Sequence, residues 1–152
     1  MSPVEAGAAS SFFHVFAIAG ALGVPLAARR AGTAAVAGAV GAAWLFLPVG
    51  LLLAPEQWWA WTAVGGVAQG GGITVIFVAI MRLAHDGPSA GRISAVVQGV
   101  GYGFGALAPA ALGFVHERTH TWSASLLVVL AATLTYLVCT TLAVRSVARR
   151  PR

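Results

Sequence analysis

Ser94, Gln98 and Tyr102 recur at intervals of four, which on a helix puts a hydroxyl, an amide and a phenol on one stripe. Gln69 stands between glycines, and His14 sits in another uncharged run. All five are hydrogen-bonding groups in apolar surroundings. Such groups are costly at bilayer depth and face a bundle interior or a cavity, so this set is suited to holding a polar solute. A catalytic use would pair Ser94 as nucleophile with His14 as base. That arrangement needs a third group to orient the imidazole, yet Asp86, Glu5, Glu56 and Glu117 all fall in loops or near run ends. No enzyme is expected, and no metal or cofactor is called for.

The same stretch, QGVGYGFGALAP, places glycine at every second position: Gly99, Gly101, Gly103 and Gly105. A dinucleotide fingerprint needs G-x-G-x-x-G, but Phe104 and Ala106 occupy the third glycine's positions, and the chain has no lysine for a P-loop. These glycines do not cradle phosphate.

Hydrophobic residues make up 59% of the 152 and charged residues 9%, against about 25% charged in soluble domains. Runs of about 20 apolar residues cross a ~30 Å hydrocarbon core as helices. Charges and prolines divide the chain into five such spans, 7–28, 32–53, 58–81, 91–115 and 122–144, followed by a basic tail, 145–152. The expected fold class is an all-α membrane protein of one transmembrane domain. The alternating ten-residue segments of a barrel are absent. In a five-span arrangement Arg29, Arg30, Arg82, Arg92, Arg145, Arg149, Arg150 and Arg152 fall on one side and Arg118 on the other. Arginine collects on the cytoplasmic side, so the amino terminus is expected outside and the carboxyl terminus inside an inner or plasma membrane. Trp58, Trp59, Trp61 and Trp122 then gather at the outer interface. The net charge of +5 belongs to this topology, and nucleic acid is not an expected partner. Cys139 is alone, so no disulfide framework exists.

On span faces, Ser94, Gln98 and Tyr102 continue toward Gly105 and Pro109. Thr62 and Gln69 share a face with Gly65 and Gly72, and Ser10, His14, Ala17 and Ala21 form a third stripe. The first, third and fourth spans are therefore expected to face a cavity, and the second and fifth to face lipid. Gly99 with Gly103, and Gly101 with Gly105, give the fourth span two small-xxx-small surfaces for close packing or for gating around Pro109. GALGVP at Gly20–Pro25 and GALAP at Gly105–Pro109 lie near opposite ends of their spans, as an inverted repeat would place them. An outside amino terminus and an odd span number both suit part of a larger protein.

The run from Ser94 to Trp122 resembles the eleventh helix and following loop of the cyanate and 2-nitroimidazole permease branch of the major facilitator superfamily. Ser94, Gln98, Gly101, Tyr102, Pro109, Gly113, Glu117 and Trp122 carry the likeness. PVEAG and PLAARRAG resemble the loops flanking that family's eighth helix, although Ala28 stands where the family usually has an aspartate. The resemblance implies helices eight to twelve of a twelve-helix fold, with eight, ten and eleven lining the cavity. It also implies a secondary transporter of a small polar or anionic solute, working by alternating access. The implied partners are the lipid bilayer, the solute, and an amino-terminal half or companion chain. The competing expectation is a membrane scaffold or assembly subunit without a solute path, which would have no use for Gln69, Gln98 or His14 at mid-depth.

Overall fold

A computed structural model describes residues 3–148. It holds five helices long and apolar enough to cross a membrane, and no strand among the described residues. They are α1 (Pro3–Ala31), α2 (Thr33–Leu53), α3 (Trp58–Leu83), α4 (Gly87–Thr119) and α5 (Trp122–Ala148), with a single 3-10 turn, Pro55–Gln57, before α3.

The helices match the expected spans and overrun them. Arg29, Arg30 and Arg82 sit in last turns instead of links, and Arg145 lies in the last turn of α5 rather than in a tail. Arg149, Arg150 and Arg152 lie outside the described residues. A long arginine stem lets a helix continue past the apolar boundary while its charge reaches water. The links are correspondingly short. Gly32 alone joins α1 to α2 at φ 81°, a left-handed backbone that glycine adopts without a Cβ clash.

The expected loop from Arg82 to Ala90 shrinks because Asp86 starts α4 early. Its carboxylate accepts the Ser89 backbone N–H at 2.7 Å, and the Ser89 hydroxyl accepts the Asp86 N–H at 3.1 Å. This reciprocal capping box leaves proline near the first helical position, where its missing N–H costs nothing. The Ser89 backbone bond holds the Asp86 carboxyl below its usual range. A depressed carboxyl contributes stability above its unfolded value of about 3.9 and loses it as pH falls through the folded value. The protection of the Ser89 amide from exchange, taken relative to the intrinsic rate at each pH, should therefore fall on acidification from about pH 7 to about pH 3. In Asp86→Ala that protection should be lost throughout. Protection at Ser89 that stays constant with pH in the native chain would contradict the cap.

α1 and α3 pack most closely. A Cβ at Gly66 would strike the Phe13 carbonyl, one at Gly70 the Ala17 carbonyl, and one at Gly20 the Val67 carbonyl. The Thr74 hydroxyl donates to the Ala21 carbonyl at 3.3 Å. Phe13 with Gly66, Ala17 with Gly70 and Ala21 with Thr74 keep a constant offset of 53 residues, so α1 and α3 run parallel, with α2 returning between them in sequence. Small residues allow this approach in lipid.

α2 does not simply face lipid as its composition suggested. Val36, Ala37 and Val40 join Val24, Val75 and Val144 in a core built from α1, α2, α3 and α5. At the α2–α3 turn the Trp61 indole donates to the Ala54 carbonyl at 2.9 Å, with its ring over Gly50. That tryptophan closes a helix end.

α4 stands apart, with none of its 33 residues buried. It is fastened to α5 at their shared corner, where the Ser125 hydroxyl donates to the Leu112 carbonyl at 3.1 Å. His116 stacks on Trp122 with ring centroids 3.9 Å apart.

Candidate functional site

Gln69 on α3 and Gln98 and Tyr102 on α4 line one cavity of about 200 Å³, together with Ile73, Phe77 and Val97. The three polar residues come from near the middle of their helices, and their neighbours on the wall are aliphatic or aromatic. Ser94 stands one turn from Gln98 and accepts its side-chain N–H at 2.7 Å. In this position Ser94 orients the amide instead of forming the wall. No charged side chain lines this cavity, so it can offer amide and phenol hydrogen bonds but no ion pair.

His14 is not brought to this site. It lies on the exposed side of α1 with its ring edge-on to Phe13, centroids 5.7 Å apart, and it lines neither this cavity nor the larger one beside it. The stripe that suggested a cavity face on α1 is the stripe that meets α3: Ala17 and Ala21 present backbone carbonyls to Gly70 and Thr74. Thr62 turns back on its own helix and donates to the Trp58 carbonyl at 2.9 Å.

The alternating glycines also behave differently from expectation within this chain. A Cβ placed at Gly99, Gly101, Gly103 or Gly105 would meet nothing within 4 Å. Gly101 lines the cavity with Tyr102, and Pro109 is exposed. Helix packing through glycine occurs at Gly20, Gly66 and Gly70 instead. Proline at 109 removes the hydrogen bond that its own N–H would have given the Gly105 carbonyl, so the α4 ladder is interrupted beside the site.

Sequence reasoning missed α5. Threonine there does bond its own backbone, Thr133 to Leu130 at 2.9 Å and Thr135 to Ala131 at 2.9 Å. Yet Thr133 and Tyr136 also line a second cavity, of about 460 Å³, with Trp44 from α2 and Gln69 from α3. The signal was present: Thr133, Tyr136 and Thr140 follow the i, i+3, i+7 pattern of a single helix face.

The chain is 26% identical over 72 residues to an uncharacterized transporter of Bacillus subtilis (strain 168), YycB, and the match covers 47% of this chain and 18% of that protein. The chain is a multi-pass membrane protein. No family model matches it, and no solved structure matches it.

Proposed function

We propose that the chain forms part of a secondary transporter that moves a small polar solute by alternating access, in the manner of the cyanate-permease branch of the major facilitator superfamily. The observation that carries this reading is the convergence of Gln69, Gln98 and Tyr102, from two helices, on one mid-span cavity. A scaffold has no need for polar groups aimed into a gap, because each is costly at that depth. Likeness to a transporter supports the same reading. Gln98 and Tyr102 donate to the solute, Gln69 meets it from the opposite wall, and Ser94 fixes the Gln98 amide.

In a complete transporter containing this chain, Gln98→Ala or Tyr102→Phe should weaken solute affinity about tenfold, a loss of roughly 1.4 kcal/mol, with little change in expression. Thr135→Ala is the control, because its hydroxyl is occupied by its own helix. If the control is as damaging as Gln98→Ala, these groups hold helices together and the scaffold reading replaces this one.

The proposed orientation puts the amino terminus outside and the carboxyl terminus in the cytoplasm. Arg29, Arg30, Arg82, Arg92 and Arg145 stand at helix ends on one side of the five-helix path, and such residues collect on the cytoplasmic face. Alkaline phosphatase fused after Arg152 should be inactive, and fused at Gln57 it should be active. The reverse pattern would invert the topology.

A further inference from the structure

The wall between the two cavities is a single row of α3. Gln69, Ile73 and Ile76 line the smaller cavity and also the larger one, so the polar site and a second chamber share this row. Leu112 of α4 and Val129 of α5 line the chamber as well. Its polar atoms come from Trp44, Tyr136 and Thr133 in addition to Gln69. A Cβ at Gly72 would meet the Tyr136 hydroxyl oxygen at 2.5 Å and the Trp44 indole nitrogen at 3.7 Å. Both groups therefore converge on one bare stretch of α3 backbone, one turn from Gln69. The Thr133 hydroxyl gives its proton to Leu130 and keeps its lone pairs for an incoming donor.

The chemistry of this lining selects among occupants. A lipid acyl chain would leave the Gln69 amide and the Trp44 indole without partners, which is unfavourable in an apolar gap. An ion would lose its hydration and find no counter-charge, since no charged side chain lines either cavity. We propose that the larger chamber seats an uncharged, mostly apolar small molecule bearing one hydrogen-bonding group. In this arrangement the polar end lies at Gln69 and Tyr136, and the apolar body lies between Ile76, Leu112 and Val129. Its role as part of the solute path rests on the transport reading, which it narrows toward uncharged solutes; its binding does not.

The test uses the 152-residue chain in phosphatidylcholine nanodiscs, photolabelled with a trifluoromethyl-diazirine derivative of benzyl alcohol. Labelling mapped by mass spectrometry should saturate and concentrate on Ile76, Leu112 and Val129. Benzyl alcohol should displace it, and benzoate should not. Ala108→Phe, placed on exposed α4 at the chamber wall, should abolish saturable labelling without disturbing the fold. Tyr136→Phe should weaken it about fivefold, the size of one neutral hydrogen bond. Labelling that never saturates and spreads over exposed Phe46 and Leu53 is simple partitioning and would overturn the proposal, as would equal competition by benzoate. Saturable labelling of this chain, with Gln98→Ala and Thr135→Ala equally damaging to uptake by the complete transporter, would retain the chamber and remove the transport reading. Uptake by the complete transporter lost selectively in Gln98→Ala, combined with unsaturable labelling of this chain, would do the opposite.

Discussion

Gly70→Leu should unseat α1 from α3, whereas Gly103→Leu should leave the chain's fold intact. At Gly70 even a single added carbon would run into the Ala17 carbonyl, which belongs to backbone and cannot swing aside. Leucine adds three more carbons at the same point. Overpacking a tight contact costs about 1–3 kcal/mol and sometimes more, and the parallel seam offers no slack because Gly66 and Gly20 are closed against carbonyls as well. Gly103 has nothing within 4 Å of an added Cβ. The expected result in detergent is an aggregation-prone, less heat-resistant Gly70→Leu protein that keeps its helical circular dichroism, since spans remain helical in lipid on their own. Equal melting of the two variants would mean that the α1–α3 approach does not hold the bundle together.

Proteoliposomes containing only this polypeptide should show no concentrative uptake. The cavity residues Gln98 and Tyr102 sit on a helix with no buried residue, where Tyr102 is 72% exposed and Phe104 74%. A solute bound there lies between α3 and one face of α4, whose other faces stay uncovered. Alternating access needs two bodies that rock about a site between them, and on the transport reading proposed above the second body is a companion set of helices. Adding a companion chain that covers α4 should restore uptake from zero. Concentrative uptake by the chain alone would remove the two-body reading.

Length and hydropathy made the five helices legible, because a bilayer sets a minimum span that few other features imitate. The helix ends were less so. Asp86 reads as a loop residue until its exchange of bonds with Ser89 is seen. The stripe Ser94–Gln98–Tyr102 is legible because spacing by four is visible in one dimension, and Gln69 because an amide among glycines is conspicuous. His14 lines neither cavity within this chain, and its place was not legible: the packing face of α1 is defined by what Ala17 and Ala21 touch, and alanine is as compatible with a seam as with a cavity or with lipid. The same ambiguity hid the core of α2, where Val36, Ala37 and Val40 are buried. In lipid, apolar side chains carry little information about which way they point, since tails and neighbouring helices solvate them alike. The glycines show the limit clearly. Gly66 and Gly70 are as close in sequence as Gly99 and Gly103, and only the fold tells which pair meets a partner.

The constant offset of 53 residues between facing positions on α1 and α3 also sets a schedule for synthesis. A ribosome adding about 5–20 residues per second takes roughly 3–10 s to make that interval, counted from the same rate. For those seconds the α1 edge exists while the glycines that will receive it are still unmade. α2 is made sooner and meets α1 where Val24 joins Val36, Ala37 and Val40, but that core also waits for Val75 and Val144 further along. During this interval the Phe13–Ala17–Ala21 edge is the surface that other nascent helices or insertion factors can reach. Slowing translation within α2 would lengthen that exposure without changing any contact in the finished protein.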